Sequence, residues 1–221
     1  MKTKDKIIQG SIELFNQQGE RNVTTNHIAE YVGISPGNLY YHYRNKDDII
    51  RSIYKLYEKN LDQMFQPQDS SSQGMDEMMY YLERVFYSMW QFRFFYANLP
   101  DILARDPQLH ERYLVAQKSL YQRIVNTLKQ VRSQGFITLD DAMIDDLAHT
   151  LKLVVAFWIS YQHTQSLGEI TQATISQGVI KVFNVVKGYL TPSGLSNIQE
   201  IENKYLMMMK TNAIDIEKTL V

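Results

Sequence analysis

The 221-residue chain contains no cysteine. That absence excludes a disulfide framework, a thiolate metal site and a cysteine nucleophile. Proline is sparse, with five in the whole chain, so long stretches meet no helix breaker. Long apolar runs are missing too. The strongest, LVVAFWI at 153–159, falls far short of the roughly 20 residues a membrane span needs. The opening MKTKDKIIQG leads into no apolar stretch of signal-peptide length. A soluble, cytoplasmic protein with no membrane partner is the expectation. No Ser-His-Asp set, Gly-rich phosphate loop or paired-carboxylate motif stands out, so no catalytic residue and no cofactor is expected. His149 follows Asp145 at the i+4 spacing that can bind a metal. His110 and His163 are too isolated to complete such a site, and a solvated helix face is the expectation there.

An excess of charge of either sign is also lacking. The net value is −1, so bulk electrostatics does not advertise nucleic acid. Residues 1–60 nevertheless carry nine Lys and Arg against seven Asp and Glu. That mild excess permits a DNA-binding N-terminus without requiring one.

What the chain does have is helical periodicity and tyrosine. The apolar fraction is 44% and there are 15 Tyr, enough for a large core or an aromatic-lined cavity. No stretch alternates with the period of a strand. Ile8, Ile12 and Phe15 mark a first helix that Gly19 ends; TNHIAEYV, capped by Thr24 or Thr25, makes a second; Ser35 caps a third with Pro36 at its first position. A fourth begins near Asn45 and runs to Met64. The low-complexity QPQDSSSQG at 66–74 reads as a connection between two parts. Beyond it, one wide-faced helix is expected over 75–99, with a short helix between Pro100 and Pro107. Long helices follow at 107–134, 140–165 and 169–190, and helical character persists in the tail segment IENKYLMMMK. The last two long helices are apolar around much of their circumference. Such helices need cover on both sides, which points to a homodimer.

The chemistry concentrates in residues 24–46. Two short helices joined by a Gly-containing turn, with a third before them, form the helix-turn-helix plan. A small residue at Gly37 lets backbone approach DNA closely, and Asn38 can donate and accept at a base edge. Leu39 and Tyr43, four apart, belong to the core. Tyr40, Tyr41 and His42 are left outside it or at its rim, where hydroxyl and imidazole groups suit phosphate oxygens. Lys46 adds a phosphate-directed charge. The competing reading is a helical hairpin whose tyrosines pack on a neighbour, and for Tyr41 the two readings stand level.

TTNHIAEYVGISPGNLYYHYRNKDDII resembles the DNA-binding signature of the TetR family of bacterial transcriptional repressors. The matching positions are Thr24-Thr25, Ile28-Ala29, Gly33-Ile34-Ser35, Gly37, Leu39-Tyr40, His42, Tyr43 and Lys46. Ile34, Tyr43 and Val32 depart from the usual Val, Phe and Ala without removing a donor or altering the turn. The resemblance implies that Thr25, Tyr40, His42 and Lys46 hold phosphates, while Asn26, Asn38 and Tyr41 touch base edges. With Thr24, Ser35, Pro36 and Gly37 these complete the candidate DNA-contacting set. It further implies an all-α protein of two parts: a helix-turn-helix DNA-binding domain at 1–48, and a helical ligand-binding and dimerisation domain at 49–221. The partners would be a palindromic double-stranded operator, a second copy of the chain and a small-molecule effector that releases the DNA.

WQFRFFY at 90–96, with Phe157, Trp158 and Tyr161, suggests a pocket for an apolar or aromatic effector. Trp90, Arg93, Phe94, Phe157, Trp158 and Tyr161 are the candidate ligand residues. Ordinary core packing competes for each aromatic one. Arg93 needs a partner among those rings, which could be an acidic ligand, Glu83, Asp101 or water. A helical ligand-binding or scaffold protein whose N-terminal bundle does not touch DNA is the alternative for the whole chain.

Overall fold

A computed structural model describes residues 2–64, 75–165, 168, 170–199 and 203. Its long elements are all helices: α1 (Thr3–Gln18), α2 (Thr25–Tyr31), α3 (Pro36–His42), α4 (Lys46–Met64), α5 (Met75–Gln91), α6 (Arg93–Arg105), α7 (Pro107–Ser133), α8 (Asp141–Gln165) and α9 (Gln172–Lys187). A single 3-10 turn, Glu20–Asn22, follows α1. Among the described residues no strand forms, as the periodicity predicts. The expected connection at 66–74 and the helical tail in IENKYLMMMK lie outside the described residues, but for residue 203.

The N-terminal unit builds its core from one face of each short helix. Ile7, Ile12 and Phe15 of α1 meet Ile28 of α2, Leu39 of α3 and Ile49 and Ile53 of α4, all buried. Gly10 lets α2 come close, because a Cβ there would lie 2.4 Å from Val32 Cγ1. Gly33 turns the chain between α2 and α3 at φ +71°, a conformation side chains resist. In the C-terminal part α8 packs on α6, α7 and α9, and α5 packs on α4, α7 and α9. On α9, Ile175, Val179, Val182 and Val186 form the expected inward seam, all buried.

One expectation is overturned. The helix predicted over 75–99 breaks at Phe92, whose φ/ψ of −110°/30° is not helical. The cause lies in α1. Asn16 Nδ2 donates to Gln91 O at 2.8 Å, and Asn16 Oδ1 accepts from Phe94 N at 2.9 Å. One side chain therefore satisfies a carbonyl and an amide that the break sets free. After the break, α6 runs through Pro100, with a kink at Asn98. Proline has no amide to give Tyr96 O, and Ser160 Oγ of α8 supplies that hydrogen bond at 2.9 Å. At the kink, Asn98 Nδ2 takes Phe94 O at 2.9 Å. The short helix expected between Pro100 and Pro107 is thus the second half of a longer one.

Candidate nucleic-acid interface and effector cavity

The helix-turn-helix is set by local caps. Thr24 Oγ1 accepts from His27 N at 3.2 Å, and His27 Nδ1 accepts in return from Thr24 N at 3.4 Å. Of the two threonines expected to cap α2, Thr24 does so. Ser35 Oγ accepts from Asn38 N at 3.2 Å, and Asn45 Oδ1 accepts from Asp48 N at 2.9 Å. These are three successive side-chain caps, each satisfying an amide that the helix start leaves free. As acceptors the Thr24 and Ser35 hydroxyls serve the fold, and each keeps its hydrogen for another acceptor.

Along α3 only Leu39 is buried, and Tyr43 just beyond it is 4% exposed. Pro36, Gly37, Asn38, Tyr40 and Tyr41 face solvent, with Thr24 and Asn26 also exposed; Thr25 and His42 are half-buried. Tyr41 is 84% exposed, so the fold does not use its ring as core. Thr25 Oγ1 and Tyr40 OH are 2.9 Å apart and hydrogen-bonded, which places α2 and α3 donors side by side. A face of hydroxyls, an amide and an imidazole with little apolar cover suits phosphate and base-edge contacts.

Lys46 is engaged differently. Its Nζ donates to Glu20 O at 2.8 Å and Val23 O at 3.1 Å, and pairs with Glu20 Oε1 at 2.9 Å. All three ammonium donors thereby have acceptors inside the fold. The Glu20 side chain is fully buried and also receives Arg105 Nη2 of α6 at 2.7 Å. Burial acts to raise the Glu20 carboxyl. Hydrogen bonds from Arg105 and Lys46, with their charges, outweigh burial and hold it below its ordinary value. Nearby, Arg51 Nε of α4 donates to Asp106 Oδ2 at 2.6 Å, while Asp106 Oδ1 caps α7 through Leu109 N at 3.0 Å.

The C-terminal part holds a partly open cavity of about 120 Å³. Tyr57 of α4, Tyr81 of α5, Phe95, Tyr96 and Leu99 of α6, Tyr113 of α7 and Phe183 of α9 contribute to its wall. Tyr57 OH and Tyr96 OH hydrogen-bond to each other at 2.8 Å. Burial pushes both hydroxyls well above the ordinary tyrosine range. The volume is close to the roughly 150 Å³ of a cavity that accepts a benzene ring.

The opposite face of α6 bears on the DNA-binding unit. Phe94 packs on Phe15 of α1 with ring centroids 5.1 Å apart. Arg105 reaches Glu20, and Arg21 pairs with Asp101.

A family model described as "Bacterial regulatory proteins, tetR family" matches residues 7–53, and one described as "Bacterial transcriptional repressor" matches residues 56–198. The chain belongs to the TetR family. A TetR-family regulator from Marinobacter aquaeolei VT8 is 36% identical, with a TM-score of 0.83 over 93% of this chain and 99% of that one. IcaR of Staphylococcus epidermidis, a negative transcriptional regulator of a biofilm operon, is 28% identical over 64% of this chain and 67% of its own length. SmeT of Stenotrophomonas maltophilia, solved with triclosan, shares the fold at 14% identity and a TM-score of 0.56, over 86% of this chain and 92% of that one.

In this TetR-family protein none of the six candidate ligand residues lines the cavity. The break at Phe92 turns Phe94 toward α1 and leaves Phe95 and Tyr96 facing inward. Arg93 lies over the Trp90 ring at 4.1 Å and donates to Trp90 O at 3.1 Å. On α8, Leu151, Lys152 and Val155 face the cavity. Phe157 and Tyr161 lie on an exposed side with Leu153, and Trp158 is clamped to Thr174 O by a 2.8 Å hydrogen bond. Phe157, Trp158 and Tyr161 instead border a shallow surface hollow with Lys181 and Asn184. The His149 ring lies against Tyr121, tilted, with centroids 4.5 Å apart, and its Nδ1 lies 3.0 Å from Asp145 O. Among the described residues no helix is long and apolar enough to cross a membrane.

Tyr57, Tyr96 and Tyr113 read from sequence as core positions on separate helices. Besides the abundance of tyrosine, the aromatic run WQFRFFY at 90–96, which contains the lining residues Phe95 and Tyr96, points to an aromatic-lined cavity.

Proposed function

We propose that the protein is a ligand-released repressor that binds a palindromic operator as a homodimer. The observation that carries this reading is the double duty of α6: one face walls an apolar cavity, and the other is fastened to the DNA-binding unit through Asn16, Phe15 and Glu20. A ligand larger than the cavity would displace α6 and, through those fastenings, re-aim α3. The populations of two dimer geometries then shift with ligand.

In this reading the domains divide as 1–48 and 49–221. Thr25, Tyr40 and His42 hold phosphates, and Asn26, Asn38 and Tyr41 reach base edges. Thr24, Ser35, Pro36 and Gly37 shape the approach. Lys46 acts through Glu20, setting the joint between the two parts. The effector is apolar or aromatic, in keeping with the cavity wall and with the triclosan bound by the fold relative SmeT. Such a regulator works where the chromosome is, in the cytoplasm.

The dimer face is the exposed α8 stripe of Leu153, Phe157 and Tyr161, at i, i+4 and i+8. The α9 edge beside it is more polar than its sequence suggests, with Lys181 and Asn184 outward. A two-fold dimer would set its α3 helices into major grooves about 34–36 Å apart. Duplexes selected from a random pool should be inverted repeats, and Asn38→Ala should relax preference at one base pair by about 1–3 kcal/mol. A ligand that binds the cavity tightly yet leaves operator affinity unchanged would sink the release mechanism.

A further inference from the structure

Apart from Gln117 and Thr127 the cavity wall is apolar and aromatic with one charged side chain, Lys152 of α8; among the described residues no Asp, Glu, Arg or His lines it. Lys152 is half-buried. Its Nζ donates to Gln117 O at 3.2 Å and lies 5.5 Å from the Tyr121 ring centroid. Among the described residues no carboxylate pairs with it. Cations nearby on α7 are provided for: Arg112 pairs with Glu58, and Arg123 with Asp62 at 3.0 Å. Burial alone pushes the Lys152 ammonium below its ordinary value, with no opposite charge to restore it. An ammonium drawn partly out of water beside an apolar cavity, held by one carbonyl and one aromatic face, has donors to spare and no carboxylate to balance its charge.

We infer that the effector is an amphiphilic anion. Its apolar chain or ring fills the space between α6, α7 and α8, and one carboxylate-type group meets Lys152 Nζ. This rests on the cavity being the effector site. A cationic amphiphile would bring like charge beside Lys152, and a neutral one would leave the ammonium unpaired after expelling water. An anion strengthens as the site dries, because its attraction to Lys152 is screened less.

The test is calorimetric titration of the full chain with decanoate, decan-1-ol and decyltrimethylammonium at neutral pH. Decanoate is expected to bind roughly tenfold or more tightly than the alcohol, the usual weight of a hydrogen bond between charged groups. The cation should bind most weakly. Lys152→Met should erase the decanoate advantage while keeping alcohol binding, which also shows that the variant is folded; Lys152→Arg should retain the advantage. Equal binding of decanoate and alcohol, preference for the cation, or an advantage that survives Lys152→Met would overturn the anion while leaving the cavity as the site. Binding of none of the three would overturn both.

Discussion

Two groups of tyrosines divide the molecule. On α3, Tyr40 and Tyr41 are 50% and 84% exposed; across the cavity wall, Tyr57 and Tyr96 are 4% and 6% exposed and bonded to each other. The same side chain serves opposite ends. In water its hydroxyl stays accessible to a phosphate or base, even where, as in Tyr40, it also bonds Thr25, and the ring contributes little to the fold. In the interior the ring supplies packing and the hydroxyl must find a partner within the protein. Burial decides which tyrosines stay available to an outside partner and which shape the cavity, and the joint that links the two regions is where the largest effects belong.

That joint is Glu20. Glu20→Gln leaves Lys46 without a counter-charge and Arg105 with Asp47, 3.4 Å from its Nε. Breaking a buried pair costs about 3–5 kcal/mol; with Lys46 and Arg105 side chains 25% and 34% exposed, roughly 2–3 kcal/mol is expected in denaturant titration. The pH dependence has a definite sign. Glu20 is held below its ordinary value of 4.5, so its stabilisation is complete above that pH and fades as pH falls through the depressed value. The gap between wild type and Glu20→Gln should therefore narrow on acidification. A gap that widens would contradict the assigned network.

Tyr57→Phe comes next, at about 1–2 kcal/mol of lost stability, because it removes one member of a buried hydroxyl pair; operator affinity should be unchanged. Lys46→Ala should lower stability and leave the salt dependence of operator binding nearly intact. A salt slope reduced by about one would instead assign the ammonium to a phosphate. Smallest in stability is Tyr41→Phe, which should leave the denaturation midpoint in place and weaken operator binding. If Tyr41→Phe destabilised the fold as much as Tyr57→Phe, the division between the two tyrosine groups would fail.

The two regions also differ in how far their sequence reveals them. Thr24, Ser35 and Asn45 each cap an amide three residues on, so the helix-turn-helix can be read from short spacings. The cavity depends on contacts between distant residues. Asn16 breaks the helix at Phe92 from 78 residues before Phe94, and that break decides that Phe95, rather than Phe94, faces inward. Periodicity on α8 likewise exposes a helix apolar on several sides without saying which side is enclosed. Phe157 and Tyr161 fall on the side away from the cavity, and Lys152, a lone cation on an apolar helix, gives no local signal. Lys46 fits a phosphate-binding pattern, but its three internal acceptors come from Glu20 and Val23, brought to it by the fold.

The central claim is that the cavity and the DNA-binding face share α6, so that filling one disturbs the other. It can be tested without an effector. Ala156 lines the cavity, and Ala156→Trp places a bulky ring there permanently. Fluorescence anisotropy on a selected operator should show the folded variant binding about tenfold or more weakly, a difference of roughly 1.4 kcal/mol. A variant with native circular dichroism and wild-type operator affinity would contradict the account.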